Sequence, residues 1–446
     1  MSHYKPYPAY KDSGVEWLGK VPAGWEVSKL GYLSWVRARL GWKGLKAEEY
    51  LSEGYALLAT PNIKDYEIDF QNVNFISKDR YDESPEIKIR LGDVLLAKDG
   101  STLGTTNIVR KLPIEATVNS SLAVITPQIN LNSSFLYFYL KSQFVDSNIQ
   151  LLKGGMGVPH LFQSDLNRFI FPLPPIDQQK IIAKKLDSET TRIDTLIAKK
   201  TRFIELLKEK RQALITQAVT KGLNPNAKMK DSGVEWLGEV PEHWEVSKLK
   251  QNLMEQLTYG ANEAAEQDDP ENPRFIRITD LTDDGVLKSE TFKSLPMEVA
   301  KPYLLSEGDV LLARSGATVG KSFLYKETMG LACYAGYLIR ARFNTNKILP
   351  KFFWYIANSD YYWHFISGSN IQSTIQNVSG EKYGNLWVTQ PPSREQNEIV
   401  SKLDSEWRRF DSILVRTEQS IALLKERRSA LITAAVTGQI DLREAA

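Results

Sequence analysis

The chain has 446 residues, which is enough for roughly two to four domains of ordinary size. Its 42% hydrophobic and 25% charged residues exclude a disordered or fibrous chain, and its net charge of +2 gives no indication of nucleic-acid binding. One cysteine and four scattered histidines exclude a disulfide framework and lack the spacing of metal ligands.

Four blocks of sequence occur twice, in the same order along the chain. In the first and second copy they are 11–30 and 230–249, 92–97 and 308–313, 174–175 and 391–392, and 204–220 and 421–437. The first block, KDSGVEWLGKVPAGWEVSKL, matches its second copy at seventeen of twenty positions. Collinear matches of this kind predict an internal tandem duplication.

The two copies differ most between their repeated blocks, over 31–173 and 250–390. Short apolar runs such as SLAVI at 121–125 are rich in β-branched residues and are bounded by turn formers, which predicts strands. Aromatic stretches at 135–144 and 352–365 have a helical pattern. Each copy is therefore predicted to contain a variable α+β domain.

A glycine-rich turn follows the repeated GDVLLA strand in both copies. In the second copy, residues 316–322 read GATVGKS and look like a phosphate-binding loop, but they have three residues between the glycines where four are needed. The equivalent residues 100–106, GSTLGTT, lack the lysine. We therefore interpret both segments as turns after a buried strand and not as nucleotide sites.

After each proline pair, apolar residues recur at helical spacings. No glycine or proline interrupts 176–221 or 395–437, so each stretch predicts one long helix with an apolar stripe that needs a partner. Charged residues interrupt the heptad, which favours antiparallel packing of the two helices over a long parallel zipper. The alternative is that each helix packs on its own domain.

These patterns divide the chain into four parts. Residues 1–173 form a first variable domain with its leading segment, and 174–223 form a central helix. Residues 224–390 form the second variable domain with its leading segment, and 391–446 form the last helix.

The repeated blocks resemble the specificity subunit of Type I restriction-modification systems. The resemblance rests on the duplicated GVEWLG and WEV segment, on GDVLLA with its glycine-rich turn, and on the closing LLKE-R-ALI motif. It covers essentially the whole chain, twice. It implies two α/β target recognition domains, joined by two long helices that form an antiparallel coiled coil with internal pseudo-twofold symmetry.

The resemblance also implies a function and a set of partners. Each domain would read one half of a split, asymmetric sequence in double-stranded DNA. The helices would set the spacing and dock two methyltransferase subunits, which nuclease and translocase subunits then join. Because those partners would bind S-adenosylmethionine, ATP and Mg²⁺, we expect no cofactor and no catalytic residue in this chain, and a cytoplasmic location.

Neither variable domain is basic, because 31–173 contain fifteen Lys and Arg against fifteen Asp and Glu, and 250–390 contain fourteen against sixteen. Any DNA-binding surface must therefore segregate its charges. Short polar side chains on glycine-rich turns approach phosphates closely, while Arg, Asn and Gln read base edges. Candidates in the first domain are Arg37, Arg39, Lys43, Lys46, Lys98, Ser101, Thr102, Lys153 and His160. Candidates in the second are Arg274, Arg277, Arg314, Ser315, Thr318, Lys321, Asn370, Gln372 and Ser373.

Two other classes of function compete with DNA recognition. A non-catalytic scaffold whose two heads bind proteins would share the duplicated architecture, and only specific DNA binding by the assembled complex separates the two. A self-contained methyltransferase is disfavoured, because Leu173 and Gln390 precede the proline pairs where an Asn or Asp would orient the target base.

Overall fold

A computed structural model describes residues 4–39, 45–64, 67–152, 160–281, 287–369 and 377–443. The chain forms two compact units. The first consists of Met1–Lys200 with Gln419–Ala446, and the second of Thr201–Glu418. Each unit therefore combines one variable domain with one part of each long helix.

In the first unit, short strands and helices precede the first long helix. The strands are β1 Tyr10–Asp12, β2 Lys20–Pro22, β3 Glu26–Lys29, β4 Ser34–Arg37, β5 Tyr55–Leu58, β6 Asn74–Ile76, β7 Val94–Ala97, β8 Thr106–Ile108, β9 Ala116–Val118, β10 Leu122–Pro127 and β11 Ile170–Leu173. The helices are α1 Leu30–Leu33, α2 Lys78–Asp82, α3 Ser133–Leu140, α4 Gln143–Leu152, α5 Gln163–Arg168 and the long α6 Ile176–Lys221.

The central sheet of the first unit is antiparallel, with strand order β4-β10-β7-β8. Both faces of β7 are buried. Val94 and Leu96 pack into the core that contains helix α3, whereas Leu95 and Ala97 pack into a second core with β5 and β9. Because successive side chains of a strand point to opposite faces, a strand buried on both sides needs an unbroken apolar run. This explains the sequence VLLA.

The second unit has the same plan. Its strands are β12 Met229–Asp231, β13 Glu239–Pro241, β14 Glu245–Lys248, β15 Thr258–Tyr259, β16 Arg274–Ile276, β17 Val310–Ala313, β18 Ser322–Leu324, β19 Ala332–Tyr334, β20 Leu338–Ala341 and β21 Trp387–Gln390. Its helices are α7 Met297–Ala300, α8 Pro350–Ile356, α9 Asp360–Ser369, α10 Gly380–Gly384 and the long α11 Ser393–Val436. The central sheet has the order β15-β20-β17-β18, and β17 is again buried on both faces.

The aromatic stretches predicted as helical at 135–144 and 352–365 are each two helices. The breaks between α3 and α4 and between α8 and α9 contain Ser142 and Ser359. The hydroxyl of Ser142 donates to the carbonyl of Tyr139 at 2.6 Å, and that of Ser359 donates to the carbonyl of Ile356 at 2.6 Å. Serine side chains that bond the local backbone in this way compete with helical hydrogen bonds, which ends the first helix of each pair.

The two long helices pair in an antiparallel sense in the second unit. The Thr389 hydroxyl, just before α11, donates to the carbonyl of Val219 near the end of α6 at 2.6 Å. Further along, Arg211 of α6 bonds Asp411 of α11 at 3.1 Å. The guanidinium of Arg211 also lies 4.4 Å from the ring centre of Trp407. Arg211, a charged residue that interrupts the heptad pattern of α6, thus forms an ion pair with the other long helix.

The helix segments of the first unit also pair in an antiparallel sense. Asp194 of α6 bonds Arg428 of α11 at 2.8 Å. Near the start of α6, Gln178 accepts a hydrogen bond from the indole of Trp25 at 3.2 Å, and Gly438, just after α11, lies against the same indole. The expected antiparallel coiled coil is confirmed in each unit, and the helices also pack on the domains, as the alternative proposed.

Gly438 packs against the leading segment of the first unit, which consists of the residues before 31. It has φ +75°, and a Cβ atom there would lie 2.3 Å from Cδ of Pro22. Its carbonyl accepts a hydrogen bond from the hydroxyl of Tyr10 at 3.1 Å, and Lys5 and Asp441 form a β-bridge. In the second unit, Gly222 lies against Trp244 in the same way, but there the chain continues directly into the leading segment. The last residues of α11 therefore complete the domain that begins the chain.

Cys333 of β19 is fully buried, and its burial raises the pKa of the thiol to about 12. Because the thiolate is the reactive form, the native chain is expected to resist a thiol reagent such as dithionitrobenzoate at pH 8. The same chain in guanidinium chloride should react fully within minutes, which provides the control. Rapid labelling of the folded protein would contradict the buried position of β19.

Candidate DNA-binding surfaces

The glycine-rich turn of each unit is the end of a hairpin. In the first unit it joins β7 to β8, and the amide of Gly104 donates to the carbonyl of Ala97 at 2.8 Å. In the second it joins β17 to β18, and the amide of Gly320 donates to the carbonyl of Ala313 at 2.9 Å. Gly320 has φ +88° and a Cβ atom there would lie 2.8 Å from the ring of Trp363, so only glycine fits.

The structure brings four of the predicted residues of the first domain together at this turn. Ser101 and Thr102 are exposed at its tip. Lys98 precedes the turn, with its ammonium 3.6 Å from the carboxylate of Asp99. His160 contacts the same carboxylate through its ring, and the carbonyl of Lys98 accepts the amide of Leu161 at 2.8 Å. These residues form a polar, partly cationic patch that includes one acidic group.

The remaining described candidates of the first domain lie elsewhere. Arg37 is buried, with a guanidinium nitrogen 2.9 Å from Asp93, so it stabilises the domain and is not on a surface. Burial lowers the pKa of the Arg37 guanidinium, an effect that Asp93 opposes. Arg39 has a side chain only 6% exposed, 4.0 Å from Glu83. Lys46 is exposed, and its amide donates to the carboxylate of Glu49 at 2.7 Å.

In the second domain, Arg314, Ser315, Thr318 and Lys321 belong to the turn or flank it. Ser315 forms a β-bridge with Asn377, and the carbonyl of Arg314 accepts the amide of Val378 at 2.8 Å. The segment that begins at Asn377 therefore lies beside the turn, as the segment that begins at His160 does in the first domain.

Arg274 and Arg277 have partners within their own domain. Arg277 bonds both carboxylate oxygens of Asp280, with distances of 2.8 Å and 3.1 Å. A guanidinium nitrogen of Arg274 donates to the carbonyl of Lys288, and the group lies 5.6 Å from the ring centre of Phe292. Both arginines are thus engaged in holding local structure. Five predicted residues lie outside the described residues: Lys43, Lys153, Asn370, Gln372 and Ser373.

Two buried tyrosines brace the turn of the second domain. The hydroxyl of Tyr383 donates to the carbonyl of Ala313 at 2.6 Å, and that of Tyr362 donates to the carbonyl of Gly320 at 2.7 Å. Burial raises the pKa of both hydroxyls, so they remain protonated donors. The equivalent positions of the first domain are Val145 and Leu166, which cannot donate. Hydrogen bonds from α9 and α10 therefore hold the second turn, whereas the first turn has an apolar contact with Ile149 of α4.

Exposed aromatic residues beside the second turn were not predicted from the sequence. Tyr337 is 65% exposed, and its carbonyl accepts the amide of Arg314 at 3.0 Å. Tyr259 is 41% exposed, and its ring centre lies 4.9 Å from the guanidinium carbon of Arg314. The first copy has Ser121 at the position of Tyr337, so a comparison of the two copies would have marked this difference.

Within the described ranges, no three His, Cys, Asp or Glu side chains are placed to hold a metal ion. Helices built from these same residues include none long and apolar enough to cross a membrane. Each unit presents one glycine-rich turn at the end of a hairpin, flanked by polar and cationic groups.

Comparison with known families identifies the class of protein. The profile of the family described as Type I restriction modification DNA specificity domain matches residues 22–206 and, a second time, 241–421. Because the two matches span most of the sequence, the chain belongs to this family. The resemblance and the duplication predicted from the sequence are confirmed.

Curated relatives match this chain over nearly the whole length of both sequences. The chain is 24% identical to the Type I restriction enzyme StySPI specificity subunit of Salmonella potsdam, over 95% of this chain and 90% of that one. It is also 24% identical to the EcoKI specificity subunit of Escherichia coli K12, with the same coverage, and to the MjaVIII specificity subunit of Methanocaldococcus jannaschii, over 95% of both chains.

Solved structures show the same fold. A chain from work on complex assembly and conformational transition of the type I R-M system matches with a TM-score of 0.72 at 18% identity, covering 93% of this chain and 98% of that one. The HsdS subunit from Thermoanaerobacter tengcongensis matches with a TM-score of 0.53 at 17% identity, covering 94% and 98%. The α+β fold class is confirmed by these likenesses.

Proposed function

We propose that this chain is the DNA-recognition subunit of a Type I restriction-modification complex and reads a split, asymmetric sequence in double-stranded DNA. Each unit reads one half-site, and the long helices dock two methyltransferase subunits, which nuclease and translocase subunits join. The chain itself contributes recognition and no catalysis, and we expect it in the cytoplasm. The observation that supports this proposal is a repeated framework that presents two chemically different turns.

The way each variable domain is inserted supports independent reading. In the first unit, β3 pairs with β11, and the amide of Leu30 donates to the carbonyl of Phe169 at 2.9 Å. In the second, β14 pairs with β21, and the amide of Leu249 donates to the carbonyl of Leu386 at 2.7 Å. Because the two ends of each variable domain meet on one strand pair, we expect a domain from a related chain to be accepted between the same two ends.

The DNA-contacting residues also remain a proposal, and the geometry favours those at the turns. Ser101 and Thr102 are exposed hydroxyls suited to phosphate contacts, and Arg314 is suited to base edges. We place Lys98, His160, Ser315, Thr318 and Lys321 in the same surfaces.

Exchange of residues 31–173 for the corresponding segment of a related specificity subunit tests this function. The expected result is that one half-site changes to that of the donor while the other half-site and the spacer persist. The measurement is methylome sequencing of a host that carries the chimaera with its methyltransferase partner. The reciprocal exchange of 250–390 should change only the other half-site.

Two results would oppose the proposal. If both half-sites changed together, the domains would not be independent readers. If the wild-type complex bound no specific DNA sequence but captured proteins through its two variable domains, the chain would be the two-headed scaffold that is the alternative.

A further inference from the structure

Arg314 occupies a fixed backbone position at the edge of the second turn. It directly follows β17, and its amide donates to the carbonyl of Tyr337 at 3.0 Å. Its own carbonyl accepts the amide of Val378 at 2.8 Å. Because hydrogen bonds hold the backbone from two sides, the direction in which the side chain leaves the sheet is set by the fold.

The guanidinium of Arg314 has an aromatic neighbour but, among the described residues, no hydrogen-bond acceptor. Its central carbon lies 4.9 Å from the ring centre of Tyr259, and its Nε is buried without a hydrogen-bond partner. Among the residues that the structure describes, no carboxylate or carbonyl oxygen bonds this group. Arg277 and Arg342 of the same domain differ, since each bonds a carboxylate. A half-buried guanidinium without an acceptor is suited to receive one from a ligand.

Tyr259 is itself held in place. Its hydroxyl accepts the amide of Gly380 at 2.9 Å, and β15 pairs with β20 so that Tyr259 faces Ile339. A Cβ atom at Gly380 would lie 3.2 Å from this hydroxyl, so the glycine permits the close approach. The ring is therefore a fixed platform under the guanidinium.

We propose that Arg314, whose guanidinium carbon lies 4.9 Å from the ring centre of Tyr259, reads a guanine in the half-site of the second domain through the O6 and N7 atoms of that base. This inference rests on the proposed function and names the base at one position. A guanidinium stacked on an aromatic ring loses little freedom and keeps its N–H edge directed outward. The fork of that edge matches the two acceptors of guanine in the major groove.

The first domain lacks this arrangement. The residue at the position of Arg314 is Lys98, whose ammonium lies 3.6 Å from the carboxylate of Asp99. A lysine is a point charge without a planar fork, and this one has an anionic neighbour. The guanine contact is therefore assigned to the second domain alone.

The test uses the chain assembled with its methyltransferase partner. Methylome sequencing first identifies the recognition sequence, and duplexes are then made in which each guanine is replaced in turn by 7-deazaguanine, which lacks the N7 acceptor. For the wild-type complex, one such guanine in one half-site is expected to weaken binding roughly ten- to a hundredfold. In Arg314→Ala, the natural duplex should bind correspondingly more weakly, and the 7-deaza substitution at that guanine should cause no further loss.

Three further variants separate reading from charge and from stability. Arg314→Lys keeps the charge and should still lose discrimination at that one guanine. Tyr259→Leu removes the platform and should weaken discrimination there, whereas Tyr259→Phe keeps the ring and should retain most of it. Lys230→Ala removes a positive charge from an exposed side chain of β12, and it should leave discrimination unchanged.

Several outcomes would overturn the inference. In the first, the half-site that the exchange experiment assigns to the second domain contains no guanine. In the second, the wild-type complex binds every 7-deazaguanine duplex as well as the natural one. In the third, Arg314→Ala shows the same loss on 7-deaza substitution as the wild type. The wild-type measurement alone decides the matter if the alanine variant does not assemble. A wild-type complex without any sequence preference would instead refute the proposed function, so the two failures are distinguishable.

Discussion

Replacing Asp93 with alanine is expected to lower the free energy of unfolding of the first unit by about 3–5 kcal/mol, as for the loss of one partner of a buried ion pair. Asp93 is only 1% exposed. Its carboxylate accepts a guanidinium nitrogen of Arg37 at 2.9 Å and the amide of Arg90 at 2.8 Å. The alanine leaves the Arg37 guanidinium buried without an anion, and that desolvated charge causes most of the loss.

Calorimetry of the variant and the wild type provides the measurement. The control is Glu398→Ala, which breaks an ion pair with Arg394 whose side chains are 57% and 92% exposed, and which should cost less than about 1 kcal/mol. Arg37→Met combined with Asp93→Leu should recover much of the stability, because an apolar pair leaves no buried charge. Equal small losses for Asp93→Ala and Glu398→Ala would show that the first pair is not buried.

Matched four-residue insertions in α6 and α11 are expected to lengthen the spacer between the half-sites by one or two base pairs. Four residues add about 6 Å to a helix and rotate the helix beyond the insertion by about 40°, and DNA rises about 3.4 Å per base pair. The insertions belong near Lys200 and Gln419, between the ion pairs Asp194–Arg428 and Arg211–Asp411. Both helices must be extended together, because each pair joins one helix to the other.

Methylome sequencing of wild type and variant in the same host measures the spacer directly. The half-sites should persist, because no residue moves within its own domain. An insertion in α6 alone is the control, since it misaligns one of the two ion pairs and should reduce methylation. A doubly extended chain that methylates with the original spacer would show that the helices are not the ruler.

The framework was predictable from the sequence because its signals are local. The absence of Gly and Pro from 176–221 predicted a long helix, which is α6, and the repeated GDVLLA predicted a buried strand, which β7 and β17 confirm. The breaks at Ser142 and Ser359 were not predicted, because a single serine decides them through a hydrogen bond to the preceding turn.

The candidate site was less predictable, because it depends on pairs that are distant in the sequence. Arg37 and Asp93 are 56 positions apart, and the aspartate belongs to a repeated block while its partner does not. In the second unit the equivalent Asp309 is paired with Arg342, at the position of Thr126. The cation thus comes from β4 in the first unit and from the residue after β20 in the second, so alignment of the two copies gave no indication that Arg37 was buried.

The contact of Gly438 with the leading segment has a consequence for how the chain is made. Tyr10 and the carbonyl it bonds at Gly438 are 428 positions apart, so a ribosome releases the first domain long before the residues that cover Trp25. In the second unit, Gly222 lies against Trp244, and these two residues are close in the sequence, so they are synthesised almost together. Of the two variable domains, the one synthesised earlier is therefore the one completed later, and we expect Trp25 to stay uncovered until residues 419–446 are added. Ribosome-stalled chains that lack residues 419–446 should be cleaved by protease near Trp25 but not near Trp244, and equal protection at both sites would refute this order.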